Sequence, residues 1–203
     1  MNALPLSPVD YIFTGAGSQP ITFAFSYLKA TDPNVLRNSL NETLDYFPVL
    51  RSRLHRISEN DSEFLITEDG LTFNITESNA AFEESGSIEQ YITPVSSVEG
   101  NPLTKITLTR TPKGSVLSVS ISHALSDGFS YFHFLSSWAR ICRGDRIIQP
   151  SLDRDVFLSN ISHNFKTVTP DNIYNDCGLF YGDRRSTLPA SKGVEVLVVA
   201  PSI

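Results

Sequence analysis

Residues 122–128, with the sequence SHALSDG, contain three residues whose types and spacing suit proton transfer. His123 follows a run typical of a buried strand, where a histidine can be held rigidly at the end of a channel. Histidine is also the side chain whose ordinary pKa lies nearest to physiological pH. Asp127 can cap the helix that follows, and Gly128 allows a sharp turn without a Cβ. The pattern predicts a general base, but it also fits a histidine that hydrogen-bonds locally before an ordinary helix cap.

Two elements must position this segment: a strand over 115–122 and a helix over 128–143. The strand alternates apolar residues with serines, which is typical of a strand buried beside other backbone. The helix ends at Gly144 and is predicted to bury one apolar face. The residues of that face are Phe129, Phe132, Leu135, Trp138 and Ala139.

The rest of the chain interleaves strand signals with one more strong helix signal. That helix begins at Thr31 or Asp32, has Pro33 in its first turn, repeats leucine every four residues and ends at Pro48. Further strand signals lie at 21–29, 50–57, 63–67, 71–76, 104–111 and 194–200. This order differs from the regular alternation of a doubly wound fold. We therefore predict an α/β domain with a mixed β-sheet flanked by at least two helices.

The composition excludes several functional classes. The 203-residue chain has 16 Lys+Arg, 22 Asp+Glu and a net charge of −6, which argues against binding to nucleic acid or to an anionic membrane. The two cysteines, Cys142 and Cys177, form neither a disulfide framework nor a metal-binding cluster, so no metal is expected. The sequence shows no signal-peptide pattern and no apolar stretch of membrane-spanning length. A cytoplasmic protein is the expectation.

Five segments resemble, in the same order, landmarks of the BAHD acyltransferases. Residues 115–144 are similar to the region of that family in which the HxxxDG motif lies between a buried strand and an aromatic-rich helix. The other segments are 6–10 (LSPVD), 36–54, 101–109 and 150–154 (PSLDR). Together they are far more specific than the spacing of His, Asp and Gly alone.

The resemblance implies a chloramphenicol-acetyltransferase-like fold and transfer of an acyl group from a thioester to a small-molecule acceptor. Acyl-CoA would be the co-substrate, no cofactor would be permanently bound, and the acceptor would supply a hydroxyl or an amine. His123 matches the family's general base. Asp127 matches a structural residue that pairs with an arginine, and Gly128 matches a glycine that leaves room in the channel. The resemblance identifies no residue that binds coenzyme A.

This sequence also departs from the family pattern. The second family motif, DFGWG, is absent, since Trp138 is the only tryptophan. Members of the family contain two similar domains with the active site between them. We therefore expect residues 1–203 to form a single N-terminal domain that is inactive alone. Its partner would be the missing C-terminal domain, or a protein that covers the face on which that domain normally packs. The alternative is a non-catalytic half-length protein that binds an acyl carrier, a metabolite or a partner subunit.

Two other enzyme classes fit the sequence less well. No GxSxG motif is present, which argues against a hydrolase with a serine nucleophile. Condensation domains of peptide synthetases, which belong to the same superfamily, usually have a second histidine immediately before the catalytic one. Ser122 occupies that position here.

Overall fold

The computed structural model describes residues 3–58, 61–80, 82 and 88–152, and its strands form two sheets. In chain order the elements are β1 (Ala3–Pro5), α1 (Pro8–Ile12), β2 (Ile21–Tyr27), α2 (Pro33–Tyr46), a 3-10 turn (Pro48–Arg51), β3 (Ser52–Arg56), β4 (Ser62–Ile66), β5 (Leu71–Glu77), a second 3-10 turn (Ile88–Tyr91), β6 (Thr104–Thr111), β7 (Gly114–Ile121) and α3 (Gly128–Cys142). All of them lie in the compact unit that ends at Pro150.

The larger sheet has four strands in the order β2-β7-β6-β5. β7 pairs in antiparallel orientation with β2 and β6, whereas β5 pairs in parallel with β6. The smaller sheet has the antiparallel order β1-β4-β3. Parallel and antiparallel pairs in one sheet, together with the packed helices, confirm the predicted α/β architecture with a mixed sheet flanked by helices.

Helices α2 and α3 pack against the apolar face of the larger sheet. Three leucines of α2 recur every four residues and all lie in this core: Leu36, Leu40 and Leu44. Asp32 caps α2, because its carboxylate accepts a hydrogen bond of 2.8 Å from the Asn34 N–H. The core is therefore the structural frame on which β7 and the segment after it are held.

The buried face of α3 differs from the predicted one. The side chains of this helix that are buried are Tyr131, Phe134, Ser137 and Trp138. Phe129 is 81% exposed, Phe132 is 49% exposed and Ala139 is also exposed, so the predicted face was wrong at these three positions. Trp138 is buried as predicted. Aromatic residues surround the first two turns of this helix, so apolar character alone cannot select a face. Hydrogen bonds select it: the Tyr131 hydroxyl donates to the Val119 carbonyl (2.8 Å), and the Trp138 indole N–H donates to the Ser39 hydroxyl (3.0 Å).

The opposite face of β7 is lined by buried serines, as its alternating sequence predicted. Ser120 hydrogen-bonds to the Thr22 hydroxyl (2.8 Å) and accepts from the Val95 N–H (3.0 Å). The hydroxyls of Ser97 and Ser122 are 2.7 Å apart. Small polar side chains thus bind the segment around 95–97 closely to the strand that leads to His123.

Some expectations concern residues outside those described. The strand predicted over 194–200 and the end of the segment 150–154 are among them. Within the described ranges, no helix has both the length and the apolar character that a membrane span requires.

Candidate active site

His123 lies in a tight turn immediately after β7. The Ser122 N–H donates to the Leu103 carbonyl (2.8 Å), which continues the sheet pairing by one residue. The Leu125 N–H donates to the Ser122 carbonyl (3.0 Å), and the Ser122 hydroxyl accepts from the Ala124 N–H (3.2 Å). Ser122 is fully buried and therefore fixes the backbone on both sides of the histidine. The sequence did not indicate this role for Ser122.

The His123 imidazole is half-buried and stacks on an aromatic ring. Its centroid lies 4.1 Å from that of Phe13, with an angle of 16° between the ring planes. Nδ1 is buried and has no hydrogen-bond partner among the described residues. The ring is therefore held by packing, and its Nδ1 forms no hydrogen bond to a carboxylate or carbonyl in the described part of the chain.

Asp127 is the N-cap of α3. Its carboxylate accepts a 2.7 Å hydrogen bond from the Ser130 N–H, and this bond, followed by the Ser130 side chain, lowers the pKa of the Asp127 carboxyl. The charge of His123 acts in the same direction to a smaller extent. Within the described ranges no arginine forms an ion pair with Asp127. The arginine implied by the family resemblance is therefore not identified.

We expect Asp127→Ala to lower the free energy of unfolding by about 1 kcal/mol, because the cap is lost, whereas Asp127→Asn keeps it. The pKa of the carboxyl is lower in the folded state than in the unfolded state. The ionised cap therefore stabilises the fold above the unfolded-state pKa, and this contribution is lost as the pH falls through the folded-state pKa. Urea unfolding at pH 7 and pH 3 checks this. An equal loss for the Asn and Ala variants at pH 7 would contradict the capping role.

Gly128 begins α3, and the structure corrects one expectation about it. Its φ is not in the left-handed region, and a Cβ added there would meet no described atom within 4 Å. The turn therefore does not require glycine. Room for a substrate remains a separate, proposed reason for this residue.

We expect Gly128→Ala to leave the thermal midpoint unchanged or slightly higher, because alanine is the better helix former. Differential scanning calorimetry of the two proteins checks this. A fall of several degrees would show that the backbone does need glycine. If stability is kept while turnover of the whole protein falls, the methyl group obstructs the substrate channel.

The N-terminal segment was the functional neighbourhood that sequence reasoning missed. In LSPVD, Ser7 and Asp10 form a capping box: the Ser7 N–H donates to the Asp10 carboxylate (2.7 Å) and the Asp10 N–H donates to the Ser7 hydroxyl (3.4 Å). The short helix α1 ends at Ile12, and its C-cap residue Phe13 contacts His123. A serine followed by proline and, three residues after the serine, by an acidic residue was a usable signal for the helix, but not for that contact.

Residues 51–56 contain a group of basic side chains of the kind that attracts the phosphates of coenzyme A. The structure pairs two of its three arginines with acids: Arg53 with Asp69 (2.9 Å), and Arg56 with Glu99 (3.6 Å). His55 contacts Glu63 at 2.9 Å. Arg53, His55 and Arg56 are thus engaged by acidic side chains, and no phosphate site is assigned to them.

Comparison with known proteins places this geometry in a family. A family model described as "Transferase family" matches residues 1–180. The chain belongs to this family, the BAHD acyltransferases.

The described residues contain no group of three or more His, Cys, Asp or Glu side chains that could hold a metal ion.

Two curated relatives and one solved structure illustrate the similarity. The chain is 32% identical over 134 residues to hydroxycinnamoyl-CoA:piscidic acid hydroxycinnamoyltransferase of Actaea racemosa, covering 60% of this chain and 30% of that protein. It is 32% identical over 139 residues to phenolic glucoside malonyltransferase 1 of Bemisia tabaci, covering 59% and 30%. The matched part thus spans less than a third of either relative.

The fold is similar to that of F. graminearum TRI101, solved in complex with coenzyme A and T-2 mycotoxin. The TM-score is 0.63 at 15% identity, and the match covers 85% of this chain and 47% of TRI101. At this identity the likeness shows the fold alone, which is the chloramphenicol-acetyltransferase-like fold expected for a BAHD protein.

Proposed function

We propose that this BAHD chain is the N-terminal, base-carrying part of an enzyme that transfers an acyl group from acyl-CoA to a hydroxyl or amine. The observation that carries the proposal is the His123 imidazole, which lies at the end of a buried strand without a competing hydrogen-bond partner in the described residues. The names of both curated relatives describe acyl transfer, which supports the reaction class.

In the proposed reaction His123 is the general base. Because Nδ1 is buried, Nε2 takes the proton of the acceptor O–H or N–H as its oxygen or nitrogen attacks the thioester carbonyl carbon. The tetrahedral intermediate then collapses, the C–S bond breaks, and the coenzyme A thiolate leaves. The imidazolium returns its proton to that thiolate, so the histidine is neutral again and no covalent acyl-enzyme forms. Asp127 is structural in this scheme, because its carboxylate is engaged in capping α3.

The direct test is release of free coenzyme A by the whole protein, followed with a thiol reagent, for a panel of acyl-CoA donors and phenolic, alcoholic and amine acceptors. We expect release that depends on the acceptor, and none from residues 1–203 alone, since the walls of a two-domain channel would be incomplete. Acceptor-independent release would indicate hydrolysis and contradict the proposal.

The short match to the relatives also leaves a binding protein as a second candidate. It would bind an acyl carrier, a metabolite or a partner subunit through the face on which the second domain of a BAHD enzyme packs. The intact mass of the native protein separates the two. A mass near twice 22.5 kDa supports the enzyme, because a second domain would then be present. A mass of 22.5 kDa without a catalytic partner favours the binding protein.

A further inference from the structure

Phe13 covers one face of the His123 imidazole. It lies three residues after the LSPVD segment and is not part of that motif. The two rings are nearly parallel, with centroids 4.1 Å apart, which is van der Waals contact across the ring faces. A histidine used as a base is commonly oriented by a hydrogen bond to its other ring nitrogen. Here Nδ1 has no such partner among the described residues, so the stack is the contact that restricts rotation of the ring.

Phe13 is itself held in place by its backbone. It is the C-cap residue of α1, and its N–H donates to the Asp10 carbonyl (3.0 Å). Its carbonyl accepts a 2.6 Å hydrogen bond from the Ser18 hydroxyl. The Tyr11 hydroxyl accepts from the Ser62 N–H (2.9 Å), which ties α1 to the start of β4. The aromatic ring therefore projects from a segment that is fixed at several points.

A single buried serine connects this segment to the turn of the histidine. The Gly15 N–H donates to the Ser97 carbonyl (2.7 Å), and the Ser97 hydroxyl hydrogen-bonds to that of Ser122 (2.7 Å). Gly15 has a φ of +96°, a left-handed backbone conformation that favours glycine, whereas a Cβ there would meet no neighbouring atom. Ser122 immediately precedes His123. Ser97 therefore links the backbone close to Phe13 with the backbone close to His123.

We propose that Phe13 is a positioning residue for His123. Its ring holds the imidazole in the orientation that presents Nε2 to the acceptor, and Ser97 keeps the two segments in register. The catalytic effect of this positioning rests on the proposed function, whereas the contact between the two rings is independent of it. A purely structural role for Phe13, as one apolar side chain beside the cluster of Leu54, Phe64, Leu103 and Ala124, would require only apolar volume and no ring.

The ring contact is tested by NMR on the 203-residue chain with labelled histidine. Protons above an aromatic face are shielded, so we expect the His123 ring C–H resonances to move downfield in Phe13→Leu and to stay in place in Phe13→Tyr. His133, which stacks on Phe129 at 6.2 Å, is the internal control and should not move. Unchanged His123 resonances in Phe13→Leu would overturn the proposal. If that variant does not fold, Phe13→Met removes the ring while keeping apolar volume.

The catalytic consequence is tested in the whole protein. We expect Phe13→Leu to lower kcat by roughly tenfold to a hundredfold with little change in the KM for acyl-CoA, and Phe13→Tyr to restore kcat. Equal loss in both variants, or a change in KM alone, would contradict the positioning role. If His123→Ala keeps full turnover while the NMR shift is observed, the proposed function fails and the ring contact stands.

Discussion

Replacing His123 by alanine in the whole protein should lower kcat/KM by about 10²–10⁴-fold, the contribution typical of a positioned general base. The acceptor proton would then have to pass to water during attack on the thioester. The fold should survive the change, because the side chain is only half-buried and its buried Nδ1 forms no hydrogen bond with a described residue. The measurement is steady-state release of free coenzyme A at saturating acyl-CoA.

The matched control for this variant is His133→Ala, which removes the other histidine near α3. His133 lies between Phe47 and Phe129, at ring distances of 5.5 and 6.2 Å. It is placed in no catalytic step, so turnover should stay near that of the unsubstituted protein. Full turnover by His123→Ala, with the fold intact, would show that another group accepts the proton.

The sequence predicted the local parts of this site well, because those parts depend on neighbours along the chain. The buried alternation of β7, the cap of α2 (expected at Thr31 or Asp32 and found at Asp32) and the helix after the HxxxDG motif all follow from short patterns of residue type. Their order along the chain also gave the family. Such patterns record the period of an element and the chemistry of its ends, which short-range physics determines.

The parts that the sequence did not predict depend on contacts between distant segments. The stack of Phe13 on His123 and the bond from Ser97 to Ser122 join three separate stretches of chain. Nothing in the type of Phe13 distinguishes it from any other aromatic residue. The predicted buried face of α3 was wrong at Phe129, Phe132 and Ala139 for the same reason. The Tyr131 hydroxyl bonds to a carbonyl of β7, and the apolar pattern of the helix does not show this contact.

Phe64 is the fully buried aromatic side chain that the smaller sheet contributes to the cluster next to the site. It is fully buried in β4, opposite Leu4 of β1 and Leu54 of β3. Ala124, the residue after His123, belongs to the same cluster, and Phe13 packs against it. Phe64 thus lies beneath both the N-terminal segment and the turn that carries the base.

We expect Phe64→Ala to lower the free energy of unfolding by about 3–5 kcal/mol, because a fully buried ring leaves a cavity that a paired sheet cannot close. Urea unfolding monitored by circular dichroism measures the loss. The matched control is Phe129→Ala, the same substitution at a side chain that is 81% exposed, where the change should stay within about 0.5 kcal/mol. A similar loss of unfolding free energy at both positions would mean that burial of Phe64 in its cluster does not account for the effect. A large loss at Phe64 alone means that the cluster shared by the smaller sheet and the turn that holds His123 contributes to the stability of the fold.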